Sequence, residues 1–102
     1  MPSNSEILRD AIIRKRQIRA YYDGYYREMC PHATGWKGGV HHVLSFQFGG
    51  QSRRQLPLSG QWKCMEIDGL SSLIAVDGEW HTGASHSRPQ SCIDQIEVEV
   101  AY

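Results

Sequence analysis

The stretch IRAYYDGYYREMC, Ile18 to Cys30, decides the fold of this chain. It places two runs of apolar and tyrosine residues on either side of the dipeptide Asp23-Gly24. A two-residue type I′ turn needs positive φ at both central positions, and Asp-Gly is one of the pairs that adopt it most readily. The pattern therefore predicts a β-hairpin with strands at residues 18–22 and 25–30.

The turn also sets which residues face one another across the hairpin. One side carries three cross-strand pairs: Tyr22 with Tyr25, Ala20 with Arg27 and Ile18 with Met29. The other side carries two: Tyr21 with Tyr26 and Arg19 with Glu28. Arg19 and Glu28 form a sensible opposite-charge pair on this polar side, whereas Arg27 shares its side with apolar residues.

Arg27 is for this reason the main candidate binding residue. A guanidinium stays charged, so placing it on the inner side of a sheet is costly unless it meets a carboxylate, carbonyl oxygens or an anionic ligand. Two other interpretations stay open, namely an internal ion pair with Glu66 or Asp68, and a side chain that reaches solvent at the hairpin edge.

Residues 3–17 are predicted to form a helix before the hairpin. Ser3 and Glu6 have the S-x-x-E spacing of a capping box. An apolar stripe follows at helical spacing: Ile7, Leu8, Ala11 and Ile12. The basic run at residues 14–16 would lie in the last turn, where cations complement the helix dipole. A nucleic-acid patch is the alternative explanation for that run.

Further strands are predicted after the hairpin. The segment from His41 to Phe48 alternates, with His42, Leu44, Phe46 and Phe48 on one face. Residues 62–76 form one or two strands that Asp68-Gly69 interrupts. Residues 96–102 form the last strand, with Ile96, Val98 and Val100 inward. Between them, residues 77–95 form a polar loop long enough to suggest function or disorder.

These elements predict one domain over residues 1–102, mainly β, built as a small antiparallel barrel of about five strands. The barrel is closed or nearly closed, with the N-terminal α-helix packed across it. A chain of 102 residues is long enough for a single modest core.

Composition and charge narrow the functional classes. No apolar run approaches the roughly 20 residues that cross a bilayer, and the opening MPSNSEILRD lacks a signal layout, so we expect a cytoplasmic protein without membrane contact. Residues 1–54 carry nine Lys/Arg against four Asp/Glu, a net of +5, and residues 55–102 carry two against seven, a net of −5. This split disfavours coating of nucleic acid by bulk charge. It is compatible with a local basic face or a head-to-tail contact between copies.

The cysteines and the motifs give no indication of catalysis. Cys30, Cys64 and Cys92 are odd in number and far apart, which predicts reduced, buried thiols. A metal site from Cys30 and His32 with a distant third ligand, and a nucleophilic Cys30, are minor alternatives. No Gly-rich nucleotide loop, G-x-S-x-G elbow or closely spaced pair of carboxylates with an adjacent base occurs. We therefore predict a non-enzyme without cofactor or metal.

Five features follow one another along the chain. They are a helix that ends in a basic run, the segment IRAYYDGYYR, the motif Pro-His-x-x-Gly at residues 31–35, Val-Leu at 43–44 and WKCMEIDGL at 62–70. Over residues 7–76 this order resembles the WYL domain, in particular its small stand-alone bacterial versions. The tripeptide that names the family falls at residues 42–44, where only Leu44 matches. The basic residue that many members carry late in the domain aligns with Gly69.

The resemblance implies an Sm-like or SH3-like barrel that acts as a ligand-sensing regulatory module. Family members are often fused to winged-helix domains, and their supposed ligand is nucleic acid or a nucleotide-like anion held by basic and aromatic side chains. The residues that match are Tyr22, Arg27, Pro31 and His32. His32 would lie in a turn after the hairpin, and a structural hydrogen bond is the main alternative to a ligand contact for it. Arg53 and Arg54 are candidates to replace the missing basic contact.

Two kinds of partner follow as expectations. The first is a nucleotide-like ligand or short single-stranded nucleic acid. The second applies if the protein is instead a protein-protein interaction or oligomerisation module without a small ligand. In that case the partner is another copy of the chain or a partner regulatory protein. The chain has no helix-turn-helix pattern, so a role in repression would need a partner that supplies DNA reading.

Overall fold

The computed structural model describes residues 2–52, 56–57, 60–82 and 92–101. The described part has this element order: α1 Asn4–Arg14, β1 Gln17–Tyr22, β2 Tyr25–Lys37, β3 Val40–Gly50, β4 Gln61–Glu66, a 3₁₀ turn Ile67–Gly69, β5 Ser71–Val76 and β6 Gln95–Glu99. Two of the candidate ligand residues, Arg53 and Arg54, lie outside the described residues. None of the described helices is long and apolar enough to cross a membrane.

Helix α1 begins as predicted and ends earlier than predicted. Ser3 Oγ accepts a hydrogen bond from the Glu6 N–H at 3.1 Å, and Glu6 Oε1 accepts one from the Ser3 N–H at 3.0 Å, which completes the capping box. Lys15 adopts left-handed φ of 54° and stops the helix after Arg14, so the predicted end at residue 17 is wrong. The helix ends here because the chain must change direction before β1 begins at Gln17.

The hairpin prediction is confirmed in its turn and in its register. Asp23 and Gly24 have φ of 54° and 78°. The observed pairs are the predicted ones: Ile18 with Met29, Arg19 with Glu28, Ala20 with Arg27, Tyr21 with Tyr26 and Tyr22 with Tyr25. The turn chemistry alone was therefore sufficient to align these two strands.

Strand β2 is much longer than the sequence suggested. It continues through Pro31 and His32 to Lys37, so the prediction of a turn at Pro31-His32 is wrong. The pairing with β3 shifts between Pro31 and Ala33, which leaves His32 as an extra residue in a β-bulge. Proline lacks an N–H for the ladder, and bulges are among the few places where a sheet tolerates it.

The described residues form a sheet of six antiparallel strands in the order β4-β3-β2-β1-β5, with β6 paired to the second half of β2. Strands β4 and β5 follow one another in sequence through the short 3₁₀ turn, yet they lie at opposite ends of this order. The sheet must therefore curl until its two ends approach each other. The Glu66 N–H donates to Tyr22 Oη at 3.2 Å, which bridges the end of β4 to the end of β1.

The mainly β prediction is confirmed, with six strands instead of about five. In the described ranges β4 pairs with β3 alone and β5 with β1 alone, so the barrel is curled but open. The inner face and α1 enclose the larger core: Leu8, Ala11, Ile18, Ala20, Met29, Val43, Met65, Ile67, Leu70 and Leu73. A smaller cluster covers the outer face: Ala33, Leu44, Cys92 and Ile93, with Trp62 against it.

Strand β6 only partly follows the predicted alternation. Val100, just beyond the strand, is buried and Val98 half-buried as expected, but Ile96 is 53% exposed, so its inward assignment is wrong. Ile96 pairs with Gly35, and the register shifts there. A side chain on Gly35 would overlap the Gln95 carbonyl oxygen and the Ile93 side chain, which already fill this space.

Cys64 and Cys92 form a disulfide with their Cα atoms 5.6 Å apart. The prediction of three reduced thiols is therefore wrong for this pair and holds for Cys30, which is a buried free cysteine. The two residues are separated by 28 positions and meet because Cys64 faces outward from β4, opposite Leu44, while residues 92–93 return to the same face. Spacing alone could not show this meeting.

We expect reduction of this disulfide to lower the free energy of unfolding by roughly 3 kcal/mol, because the unfolded chain gains conformational entropy when the cross-link is removed. Urea denaturation with and without dithiothreitol measures the change. Cys30→Ser should keep the full effect of the reductant, and the double variant Cys64→Ser with Cys92→Ser should show none. An equal effect of reductant on the double variant would contradict the assignment.

A second contact that holds β6 depends on pH. Glu97 Oε1 accepts hydrogen bonds from His41 Nε2 at 2.7 Å and Thr34 Oγ1 at 3.2 Å. The bond from His41, with smaller contributions from Thr34 and the His41 charge, lowers the pKa of Glu97 below its ordinary value of 4.5. Because the pKa is lower in the folded state, the stabilisation is present above pH 4.5 and is lost as pH falls through the folded-state pKa.

We expect His41→Phe to raise the pKa of Glu97 towards 4.5, because phenylalanine keeps a ring to stack on Trp36 and removes the hydrogen-bond donor. NMR titration of the side-chain carboxyl carbon measures this pKa. His42→Phe is the matched control, since His42 Nδ1 bonds to the Val40 carbonyl oxygen instead. A Glu97 titration that is the same in wild type and His41→Phe would contradict the assignment.

Candidate ligand-binding site

Arg27 lies on the inner face of β2 at the hairpin end of the sheet. The residue is only 5% exposed, so the interpretation of a side chain that reaches solvent is wrong. Its Nη1 donates to Gln47 Oε1 at 3.2 Å and its Nη2 to the Tyr22 carbonyl oxygen at 3.4 Å. Its Cζ lies 5.5 Å from the ring centre of Tyr22 and 5.8 Å from that of Tyr25. These contacts hold a permanent cation between two phenol rings.

The alternative internal partners named from the sequence, Glu66 and Asp68, are both exposed residues. Glu66 interacts with this end of the sheet through its backbone N–H, which donates a hydrogen bond to Tyr22 Oη.

Lys63 brings a second cation to the same end. It lies on β4 directly opposite Ser45, and its Nζ donates to Ser52 Oγ at 3.1 Å. Burial, and then the charge of Arg27, lower the pKa of Lys63. The two positive groups therefore act on each other in a partly desolvated place. The sequence analysis missed Lys63, although its position two residues before the buried Met65 could have placed it on the inner face.

Gly69 lies close to the ring of Tyr22 at this end of the sheet. A Cβ at this position would come within 2.8 Å of Tyr22 Cε1. The Tyr22 ring thus occupies the space that a side chain at residue 69 would need. A side chain at residue 69 would therefore require the Tyr22 ring to shift.

His32 belongs to a different surface. It follows Arg27 by five residues on β2, about 16 Å along an extended strand. Its side chain is 1% exposed, and its Nε2 lies 3.2 Å from the His81 carbonyl oxygen, to which it can only donate. Its ring lies 4.7 Å from that of Trp62 and 4.8 Å from that of Trp80. The structure does not bring His32 together with Arg27.

The aromatic groups around His32 anchor the start of the predicted polar loop. Phe48 stacks on His81 with ring centres 4.2 Å apart, and the His81 N–H donates to Cys30 Sγ at 3.2 Å. Gln17 Nε2 donates to the Glu79 carbonyl oxygen at 2.7 Å. The first residues of the predicted loop therefore pack on the outer face. Most of the remaining loop, residues 83–91, lies outside the described residues.

Cys30 is poorly suited to nucleophilic or metal chemistry. Burial raises the pKa of its thiol to about 11, with the His81 N–H acting weakly in the other direction. The thiolate is the reactive and metal-binding form, so little of it is present near neutral pH. Within the described ranges, no group of three or more His, Cys, Asp or Glu residues could hold a metal ion.

Two surface concavities lie away from Arg27. One, of about 470 Å³, is lined by Trp36, Gly38, Gly39, Asp94 and Gln95. The other, of about 550 Å³, runs between α1 and β5. Neither is lined by Tyr22, Arg27 or His32.

Comparison with known proteins adds nothing to this description. No protein-family model, curated protein or solved structure matches the chain. A function must therefore be argued from the residues themselves.

Proposed function

We propose that the protein is a non-enzymatic, ligand-sensing regulatory module similar to WYL domains. It binds an anionic, nucleotide-like ligand or a short single-stranded nucleic acid at the hairpin end of the sheet. The main support for this proposal is that Arg27 is buried beside the rings of Tyr22 and Tyr25. Lys63 lies close enough for the charge of Arg27 to lower its pKa, in addition to the effect of burial.

The electrostatics of this end favour an anion. Each buried cation loses hydration, and two like charges near each other raise the free energy further. Carbonyl and amide oxygens accept hydrogen bonds from the Arg27 guanidinium, which stays positively charged. An anion bound near both cations would interact favourably with each of them in a place of reduced dielectric.

The two phenol rings favour a ligand that also has a flat face. Tyr22 is fixed by its hydrogen bond to Glu66 and by its contact with Gly69. Tyr25, opposite it across the turn, is half-buried, and its ring centre lies 5.8 Å from Arg27 Cζ. Stacking of a base on an aromatic side chain contributes about 1–3 kcal/mol.

Fluorescence anisotropy with a labelled oligothymidylate, and competition by cyclic and linear nucleotides, test the proposal. We expect Tyr25→Leu to weaken binding by about 5- to 150-fold, the equivalent of one stacked base. Arg27→Gln should weaken it at least as much, with circular dichroism to verify the fold. Arg14→Gln is the matched control, because Arg14 is an exposed cation on α1 that pairs with Asp10.

Equal binding by wild type and Arg27→Gln would exclude the site. If Arg27→Gln does not fold, Tyr25→Leu alone decides the matter, since that ring is half-buried and its loss leaves the inner core intact.

The second candidate function is self-association. Strand β5 lines the groove against α1, in which Ile7, Leu73 and Ile74 supply the apolar surface. Ile74 is 52% exposed and Ile13 on α1 is 64% exposed. In the described part of the chain, β4 and β5 each pair on one side only. A second copy is the proposed occupant, because the halves of the chain carry opposite net charges of +5 and −5.

If this second function holds, light scattering should give a mass above that of the monomer. The mass should decrease at high salt, and Ile74→Lys should give a monomer. Val40→Lys, at an exposed apolar position on β3, is the matched control. A monomer at both low and high salt would contradict self-association and leave a partner regulatory protein as the occupant.

A cytoplasmic location is part of the proposal. Cytosolic reductants keep thiols reduced, whereas disulfides persist in oxidising compartments. The Cys64–Cys92 bond is, by contrast, typical of an oxidising compartment.

A further inference from the structure

The inner face of the sheet changes from apolar to polar towards the hairpin end. The pairing of β3 with β4 places Val43 opposite Met65, both of which belong to the larger core. Two residues further along each strand, Ser45 lies opposite Lys63. Side chains alternate between faces, so Ser45 and Lys63 also point inward, beyond the apolar layer.

Ser45 is the unusual member of this polar layer. It is 0% exposed, and its hydroxyl has no hydrogen-bond partner in the part of the chain that the structure describes. Gln47, the next inward residue on β3, is also 0% exposed but is fully engaged. It accepts from Arg27 and donates to the carbonyl oxygens of Gly49 and Gln51 at 3.0 and 2.8 Å.

A buried hydroxyl without a partner destabilises a folded protein, so it requires an explanation. Directly opposite it is an ammonium with three donor positions, one of which bonds to Ser52. Side chains opposite each other on antiparallel strands have Cβ atoms about 4.5–5.5 Å apart. One small group with several acceptor oxygens could therefore contact both side chains.

We propose that Ser45, Lys63 and Arg27 together bind a phosphate group of the ligand. This inference rests on the proposed function and specifies which part of the ligand enters the sheet. The phosphate oxygens accept from the Ser45 hydroxyl, the Lys63 ammonium and the Arg27 guanidinium, and their negative charge relieves the repulsion between the two cations. The phosphate approaches past Lys63 and Ser52, which are half-buried, while Tyr25 remains available for a base.

The same chemistry is offered by inorganic phosphate, by a nucleoside 5′-monophosphate and by the phosphodiester of a single strand. A monophosphate and inorganic phosphate present a dianion, whereas a phosphodiester presents one charge and two free oxygens. Separate titrations with phosphate, adenosine 5′-monophosphate, adenosine and oligothymidylate distinguish these sources.

Isothermal titration calorimetry with wild type and Ser45→Ala tests the inference. We expect Ser45→Ala to raise the melting temperature of the free protein by a few degrees, because it removes a buried unsatisfied hydroxyl. The same variant should weaken binding of the preferred phosphate-containing probe by about tenfold, the loss of one charge-assisted hydrogen bond. A residue that served stability alone could not produce both changes. Ser71→Ala, at an exposed serine on β5, should change neither quantity.

Lys63→Met provides a second test that keeps the apolar stem of the side chain. It should remove most of the preference for adenosine 5′-monophosphate over adenosine, or reduce the salt dependence of oligothymidylate binding if the strand is the true ligand. Ser45→Ala with wild-type affinity for every probe would overturn the inference, and so would Lys63→Met with an unchanged preference and salt dependence.

The possible failures are distinguishable. If oligothymidylate or a nucleotide binds in a manner that depends on Arg27 and Tyr25, but not on Ser45 and Lys63, the proposed function stands and the phosphate assignment is wrong. If wild type binds none of the four probes, both are wrong. A more stable Ser45→Ala that binds as wild type does would mean that the hydroxyl is unsatisfied in the free protein and takes no part in binding.

Discussion

The register that Asp23-Gly24 imposes on the first hairpin constrains the rest of the molecule. Because side chains alternate along a strand, a slip of one residue would turn Arg27 outward and bring Tyr26 or Glu28 inward. The pairs from Ile18–Met29 to Tyr22–Tyr25 instead hold Arg27 on the inner face. Because a buried charge needs hydrogen-bonding or ionic partners, the inward residues of the adjacent strands must be polar near Arg27.

The register is carried from β2 to β3 and from β3 to β4. Strand β2 pairs with β3 along nearly its whole length, which brings Gln47 to the guanidinium. The uninterrupted pairing of β3 with β4 then brings Lys63 opposite Ser45. The polar end of the inner face is thus built from three strands, each aligned by the one before it. Its residues are far apart in sequence, but a continuous ladder fixes their relative positions.

The outer face of the same strands has a different role. Leu44 and Phe46 alternate with the inward residues of β3, and they meet Cys64 and Trp62 across the ladder. The bulge at His32, the aromatic rings around it and the Cys64–Cys92 bond attach the returning chain to this face. Most of these groups are apolar or aromatic side chains. This contrast distinguishes the surroundings of His32 from those of Arg27, although both residues lie on β2.

Local interactions account for what the sequence by itself determined. The capping box at Ser3 and Glu6, the Asp23-Gly24 hairpin with its register and the interruption at Asp68-Gly69 each depend on residues close in sequence. That register, together with the apolar character of Ile18 and Met29, predicted that Arg27 faces the inner side of the sheet, but it left open whether the side chain is buried or reaches solvent. The mainly β architecture followed from the alternation within each segment.

Tertiary structure decided the features that depend on contacts distant in sequence. The helix stops at Arg14 because β1 must join β5, and β2 passes through Pro31 because β3 and β6 pair with its second half. Ile96 is exposed where the register of β6 against β2 shifts at Gly35. The Cys64–Cys92 bond and the placement of Lys63 and Ser45 beside Arg27 likewise require strands to be brought together from separate parts of the chain. A local pattern records the alternation within a strand, and only the assembled sheet shows which alternating residues meet.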